Sequence, residues 1–583
     1  MRFSLLGLIL AVGVLTACSA PSADTAFVRV DQVGYAPGEV KHAYLMSPAD
    51  PGATRFDVVD SAGKVALTGT AGRSTGSWSD GFGTVRVLDV SALKTPDTYR
   101  IQVAGAASSP AFRIAPPATL FGPIATANLR FFGAQRDTAH RNDRQATVYA
   151  TPNYNEDGTE LLDERLTPVG GPVDVSGGWA DAGDFLKFTH TAAYSTAALL
   201  LTQRDSGTDG ADGTEARYGM DWLDRMWDDR TGTLYAQVGI GAGNDRVHSD
   251  HDTWRLPESD EAPGADPDLA HRPVFRAAEP GAPISPNLAG KVAAAFALSA
   301  QLDTGDSARR KLDKAAKLYD QADREPGELV TAFPHAFYPE ASWQDDLEFA
   351  AAELALAGKT LGDPRTDGWT RDAERWAAEY LASDTRGTLG VGDVSALAHA
   401  DTIRLGSSTK DDLVRDLARQ LDDGRARAAG DPFRAGASYT DFDSVPHTFG
   451  LAATAHLYRR VTGSDTYGAF GAQQRNWVLG ANAWGSSFVI GAGTVFPECP
   501  EHQGANLRDE TLTGAVVNGP NKADKFAELN RFPTMKTCSV PEFARFDGHG
   551  ARYVDDVGAW QSVEPADDFT ATALLYFGLA ARG

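Results

Sequence analysis

The sequence predicts a small β-sandwich followed by an all-α body, and two changes in residue patterning predict it. From Ala26 to Ala115 the runs "FVRVDQVGY", "HAYLMS", "RFDVVDS", "KVALTGT", "GTVRVLDVS", "DTYRIQVAG" and "PAFRIA" alternate apolar and polar residues, as strands with one buried face do. Gly, Pro, Asp and Ser punctuate them closely, which fits a sandwich of short strands. From Phe121 onward the period lengthens. "YSTAALLLTQ", "LAGKVAAAFALSAQLD", "ARRKLDKAAKLYDQA", "WQDDLEFAAAELALAGKTLG", "TRDAERWAAEYLA", "KDDLVRDLARQLDDGRARAA", "TFGLAATAHLYRRVTG", "YGAFGAQQRNWVLG" and "FTATALLYFGLAA" are rich in Ala, with apolar residues three and four apart, the helical spacing. The segment "APPATL" at 115–120 reads as the linker, because its Pro pair resists continuing a strand or helix. At 583 residues the chain is too long for one ordinary core. The expected organisation is 1–17 leader, 18–25 tether, 26–115 β-sandwich and 116–583 helical domain.

Composition narrows the function. Hydrophobic content of 42% and charged content of 23% are those of a globular protein. A formal net charge of −24 argues against nucleic acid and against anionic membrane surfaces, which would repel it. A neutral or cationic substrate suits it.

The first residues, "MRFSLLGLILAVGVLTACSA", carry one Arg, an apolar run too short to span a bilayer, and small residues before Cys18. This is the pattern of an export signal. "LTAC" resembles a bacterial lipobox, which implies cleavage before Cys18, lipid attachment to its sulfur, and a membrane contact through that anchor alone. The expected location is the cell surface. Only Cys499 and Cys538 remain after Cys18. Export permits a disulfide, and spacing alone leaves open whether they meet.

Long loops rich in Gly, Pro, Asp and Trp separate the helical runs, notably 142–180, 241–286 and 486–558. Loops of that length in a compact domain are usually functional. The first leads into "DVSGGWADAGDFLKF", with Asp181 and Asp184 three apart on a Gly-rich turn after Trp179. A helix cap needs one Asp. Two close carboxyls raise each other's cost of ionising, and such a pair can bind and deprotonate one water.

The run Gly177-Gly178-Trp179-Ala180-Asp181-Ala182-Gly183-Asp184 closely resembles the catalytic loop of family nine glycoside hydrolases, the inverting, cellulase-type enzymes. The resemblance implies Asp184 as the general base and Asp181 as the group helping to hold its water. An inverting enzyme also needs a protonated carboxyl across the bond. "SVEPADDFTATALLYFGLA" supplies Glu564, four residues before Asp568, at the family's spacing. Val563, Phe569 and Thr570 depart from the usual neighbours. "SDHDTWRLPESD" places His251 and Trp254, with Trp179, as sugar-binding residues, and Asp568 joins them. "NWVLGANAWGSSFVIGAGTVFPECPEHQ" matches a further block, with His502 at its second His. Glu501 and Gln503 stand where the family has His and Arg, so substrate choice is expected to shift. "YPEASWQDDLEFAAAEL" resembles a helix start that supplies calcium ligands in some members, which makes Asp345 and Asp346, with Glu340, the calcium candidates. "VRVDQVGYAP" looks like the start of the immunoglobulin-like module that precedes many of these catalytic domains. The implied fold is an immunoglobulin-like β-sandwich on an (α/α)6 barrel.

The expected activity is inverting hydrolysis of a β-linked glucan, β-1,4 above all, with no cofactor required and calcium as a structural candidate. The partner is a polysaccharide or oligosaccharide. Two rivals stand beside it. One is the same chemistry on another glycan, a xanthan-type substituted glucan or a glucosamine-containing chain, including exo action. The other is a surface glycan-binding protein without catalysis.

Overall fold

The computed structural model describes residues 26–206, 211–440 and 442–582. The leader, the tether and Cys18 lie outside the described residues.

Each alternating run of the N-terminal region contains a strand. The strands are β1 (Ala26–Arg29), β2 (Gly34–Tyr35), β3 (His42–Ser47), β4 (Arg55–Val59), β5 (Val65–Thr70), β6 (Ser74–Gly76), β7 (Thr84–Asp89), β8 (Asp97–Val103), β9 (Ala106–Ala107) and β10 (Phe112–Ile114). They form two five-stranded sheets, ordered β6-β7-β3-β1-β9 and β2-β10-β8-β4-β5. Val28, Leu45, Phe56, Leu88, Tyr99, Ile101 and Phe112 fill the space between them. The alternation is the direct consequence of one face packing inward.

Among the described residues twelve long helices build the second domain: α1 (Pro117–Gln135), α2 (Thr189–Ser206), α3 (Ala211–Met226), α4 (Pro286–Leu302), α5 (Gly305–Gln321), α6 (Gln344–Leu361), α7 (Thr366–Ala382), α8 (Ser395–Arg404), α9 (Lys410–Gly430), α10 (Ser444–Thr462), α11 (Gly468–Val478) and α12 (Asp567–Ala580). The even-numbered helices pack in a closed ring, α2 on α4, α4 on α6, α6 on α8, α8 on α10, α10 on α12 and α12 back on α2. The odd-numbered helices lie outside that ring, each against an even-numbered one. This is an (α/α)6 barrel. The inner helices are buried nearly all round, as the Ala-rich runs of α4 and α6 require. Small side chains let neighbouring backbones approach, and Gly290 of α4 meets the backbone of Asp346 on α6 so closely that an added Cβ would lie 2.7 Å from its carbonyl oxygen.

Two expectations are corrected here. The Pro pair does not form a linker, because Pro117 opens α1. A proline fits the first helical turn, where its missing N–H has no partner to lose. The long loops at 142–180 and 241–286 are not wholly irregular either. β11 (Ala146–Tyr149), β12 (Pro168–Val173), β13 (Lys187–Phe188), β14 (Trp227–Asp228), β15 (Thr233–Val238) and β16 (Val274–Arg276) form a small sheet beside α2 and α3. Four of these strands have only two to four residues, and the two of six residues are exposed or buried along nearly their whole length, so they show no readable alternation.

The sandwich is bolted to the barrel by the turn after β1. Gln32 Oε1 accepts hydrogen bonds from the amides of Thr494 and Val495, and its Nε2 donates to the carbonyls of Gly485 and Val495. Arg475 of α11 is 2% exposed and pairs with Asp31 at 3.3 Å and with Glu39 at 2.8 Å. Trp78 reaches across to donate to the Phe546 carbonyl. Removing one member of a buried ion group strands the rest in low dielectric. Arg475→Ala is therefore expected to destabilise the chain by about 3–5 kcal/mol, read as a lowered midpoint in urea. A change no larger than that of an ordinary surface substitution, under about 0.5 kcal/mol, would show that the docking does not depend on it.

Candidate active site

The loop between β12 and α2 carries the two aspartates, and its shape follows from its glycines. Gly177 and Gly178 have φ of +81° and +78°, and a Cβ on Gly178 would lie 2.7 Å from the Trp222 ring. Gly183 packs under the next loop, where a Cβ would meet the Glu501 carbonyl oxygen at 2.4 Å. The turn can close only with glycine at these places. From behind, Lys187 Nζ pairs with Asp137 at 2.9 Å and Asp143 at 2.8 Å and also donates to the carbonyls of Val175 and Gly177. Arg272 pairs with the same two aspartates at 2.9 and 2.6 Å. Both cations are fully buried. The loop is thus held by a compensated ionic cluster and not by apolar packing alone.

Asp184 accepts from the Leu186 amide at 2.8 Å through Oδ1 and from His251 Nδ1 at 2.7 Å through Oδ2. His251 is half-buried against the Phe337 ring. Burial pulls its pKa down, but the hydrogen bond and charge of Asp184 outweigh this and lift it to about 9. Asp184 therefore faces an imidazolium. Asp181 accepts from Thr191 Oγ1 at 2.5 Å and from the Tyr338 hydroxyl at 2.7 Å. Burial, with Asp184 adding to it, raises Asp181 to about 7 against the hydrogen bonds that lower it.

Glu564 lies between the short helix Trp560–Val563 and α12, half-buried, with its backbone carbonyl accepting from the Asn518 amide at 3.1 Å. Burial and then the neighbouring Glu501 drive its pKa well above the carboxylate range. Glu501 is itself 5% exposed and raised to about 8, by burial first and Asp184 second. Its amide donates to the Val563 carbonyl at 3.1 Å, and the Gln503 amide donates to the Gly183 carbonyl at 2.7 Å. One short segment thus ties the loop of Asp184 to the loop of Glu564. Asp567 joins from the start of α12, where its amide donates to the Asp181 carbonyl at 2.8 Å.

The structure brings Asp181, Asp184, Glu564 and His251 together, with Asp568 behind them. Asp568 is 3% exposed, and its carboxyl is pushed well up by burial and then by Asp181. Three sugar-binding expectations are corrected. Trp179 is 1% exposed, packed on Phe132 and Tyr218 inside the core, and offers no face to a ligand. Trp254 is 3% exposed, with Phe532 stacked on its ring and its Nε1 donating to Asn506. His502 caps the short helix Gln503–Arg508, where its Nδ1 accepts from the Ala505 amide at 3.1 Å. Its Nε2 donates to Gln135 at 2.8 Å, and Gln135 in turn donates to the carbonyls of Ala180 and Ala182. His502 therefore positions the aspartate loop from behind.

The calcium expectation at Asp345, Asp346 and Glu340 is corrected as well. Lys291 Nζ sits between Glu340 at 2.5 Å and Asp346 at 2.7 Å, all three buried. Asp345 accepts from Ser342 Oγ at 2.5 Å and the Val394 amide at 2.8 Å. An ammonium already fills the place of a cation, and the donor set lacks the six to eight free oxygens calcium takes. Among the described residues, His248, Asp266 and Asp268 form a group whose ligand atoms all lie within 4.8 Å of one another, close enough to hold a metal ion. Cys499 and Cys538 are bonded as a disulfide, which joins the loop before Glu501 to the strand at 539–540.

Sequence reasoning missed Tyr338, Thr191 and Gln135. Each is an ordinary residue in its own segment and becomes notable only by what it touches.

Several carboxyls gathered together, one facing an imidazolium and another with its pKa driven well up by burial, are the equipment of a glycoside hydrolase. The description "Glycosyl hydrolase family 9" matches residues 121–577, and the chain belongs to that family. "Cellulase N-terminal ig-like domain" matches residues 23–108, so the sandwich is of that immunoglobulin-like class. The chain is 26% identical over 425 residues to Endoglucanase 18 of Oryza sativa subsp. japonica, covering 61% of this chain and 76% of that protein. It is 26% identical over 438 residues to Endoglucanase A of Bacillus pumilus, covering 67% of this chain and 61% of that protein. Among solved structures, the family 9 endoglucanase J30 superposes with a TM-score of 0.70 at 25% identity, over 94% of this chain and 99% of that one.

His502 makes a pH prediction. Burial lowers its pKa to about 4, below its value of about 6.5 in the unfolded chain. The unfolded chain therefore binds the extra proton first as pH falls. The stability that depends on neutral His502 is whole above about pH 6.5 and is lost as pH falls through about 4. His502→Asn, which keeps a capping acceptor, is expected to flatten that loss in urea midpoints measured from pH 7 to 4. An unchanged pH slope would remove His502 from the account.

Proposed function

We propose that the protein is an inverting hydrolase of β-1,4-glucan, acting in endo fashion outside the cell. The observation that carries the reading is the opposed state of two carboxyls in one cleft, Asp184 against an imidazolium and Glu564 kept protonated by burial. Asp184 takes a proton from water as the water attacks the anomeric carbon. Asp181, already hydrogen-bonded on both oxygens by Thr191 and Tyr338, orients that water. Glu564 gives its proton to the leaving sugar oxygen. No cofactor enters these steps. The endoglucanase names of the plant and bacterial relatives support the glucan assignment.

Glu501 favours a second reading of the substrate. Glu501, a carboxyl close to Asp184 and Glu564, would be drawn into its ionised form by a bound ammonium. That suits a glucosamine-containing chain better than a plain glucan. Proton NMR during hydrolysis of a panel that holds carboxymethyl-cellulose, mixed-linkage glucan, xanthan and chito-oligosaccharides separates the two. The α-anomer is expected to appear first. Glu564→Gln and Asp184→Asn are each expected to lower kcat by roughly 10²–10⁴-fold. A β-anomer appearing first would end the base-and-water roles, and unchanged turnover in either variant would end that residue's role. Glycan binding without products from any polymer would favour the binding protein.

Export as a lipoprotein anchored through Cys18 belongs to the same proposal. The Cys499–Cys538 disulfide supports an oxidising compartment. Among the described residues no helix is long and apolar enough to cross a membrane. Cys18→Ser is expected to move the protein from the membrane fraction to the medium or periplasm. A cytosolic wild type would overturn the export reading.

A further inference from the structure

The seam between the sandwich and the barrel holds a cavity of about 520 Å³, away from the catalytic carboxyls. Arg29, the last residue of β1, lines it. Arg29 is 9% exposed, and its Nε and Nη2 have no hydrogen-bond partner among the described residues. Its guanidinium lies 4.3 Å from the centroid of the Phe546 ring and 5.1 Å from that of Phe27. Arg545, exposed on the same cavity, lies 4.6 and 4.8 Å from the same two rings. Gly485 makes room for the inner cation, since a Cβ there would stand 2.2 Å from Arg29 Nη1.

This arrangement is costly as it stands. A buried cation normally has a carboxylate and a full set of acceptors. Cation–π contacts offset only part of that cost, and here two like charges share the rings. Burial and then the neighbouring Arg545 lower the Arg29 pKa to about 9. In a chain with formal net charge −24, two guanidiniums left to aromatic rings are a conspicuous exception.

We propose that this cavity is a binding site for a singly charged carboxylate carried on a six-membered sugar ring, an acidic sugar unit. The carboxylate would take the free edges of Arg29 and Arg545, the geometry in which guanidinium binds it bidentately. The ring would lie against Phe496, a half-buried aromatic that also lines the cavity. Glu498 and Glu542 also line the cavity and disfavour a doubly charged phosphate. Both domains contribute, which is where ligand cavities often form. The site stands apart from the glucan reading above and does not rest on it.

Calorimetric titration of the full chain with glucuronic acid, glucose and inorganic phosphate tests the proposal. Glucuronic acid is expected to bind, with affinity falling as salt is raised, and glucose is not. Arg545→Ala and Arg29→Gln are each expected to weaken binding at least tenfold while hydrolysis of neutral mixed-linkage glucan is unchanged. Arg545 is exposed, so its variant reports even where Arg29→Gln fails to fold. Equal heats from glucose, phosphate binding as tight as glucuronate, or binding that survives Arg545→Ala would each overturn it.

Discussion

Everything at the catalytic end of the barrel depends on holding like charges together out of water. Asp181, Asp184, Glu501, Glu564, Asp567 and Asp568 converge there, and among the described residues His251 is the one basic side chain hydrogen-bonded to the pair on the Gly-rich loop. Desolvation penalises each ionised carboxyl, and mutual repulsion adds to the penalty. The group cannot all be charged at once. It must keep protons, and which carboxyl keeps one is decided by its partners. Asp184 is hydrogen-bonded by an amide and by His251, whereas Glu564 feels the charge of His251 without a hydrogen bond, and burial and Glu501 outweigh it. In the proposed mechanism the acid and the base are separated by their surroundings and not by residue type.

The fold bears this load by two devices. The first is the direction of the inner helices. Contacts around the ring link their first turns: Asp567 of α12 to the Asp181 loop before α2, His190 of α2 to Glu340, Glu340 to Asn287 of α4, Asp345 of α6 to Val394 before α8, and Val445 of α10 through Asn518 to Glu564. The starts of the inner helices therefore share one end with the carboxyls, and helix N-termini favour negative charge. At the opposite end Arg204, Arg404 and Arg460 stand in the last turns of α2, α8 and α10, gathered on Asp205. The second device is internal compensation. Lys187 and Arg272 neutralise Asp137 and Asp143 under the loop, and Lys291 neutralises Glu340 and Asp346 next to it.

Much of this was legible in the sequence, and what was not has a physical reason. The β-runs and most of the helices showed through their periods. α1, α3 and α8 did not: α1 begins on prolines, α3 is interrupted by glycine, and α8 is ten residues long. The Asp181–Asp184 pair was visible because its chemistry lies within four residues. The role of Lys291 was invisible because the carboxylates it serves come 49 and 55 positions later in the chain. Trp179 and Trp254 misled because a tryptophan in a loop looks the same whether its face meets solvent or a core. Burial is a property of the assembled fold, and no local pattern in those segments encodes it.

The sandwich belongs to the same argument. Gln32 fixes the amides of Thr494 and Val495, and the chain then runs through the disulfide at Cys499 to Glu501 and His502. That segment must hold Glu501 against two other carboxyls while its neighbour His502 braces the aspartate loop through Gln135. A free loop would relieve the repulsion by moving outward into water. Pinned at one end by a side chain of the sandwich and in the middle by a covalent bond, it cannot. The N-terminal domain acts here as a brace on the catalytic cleft, which accounts for the polar, buried character of its docking turn: hydrogen bonds and ion pairs fix a position to within a bond length, where apolar packing alone would let it slide.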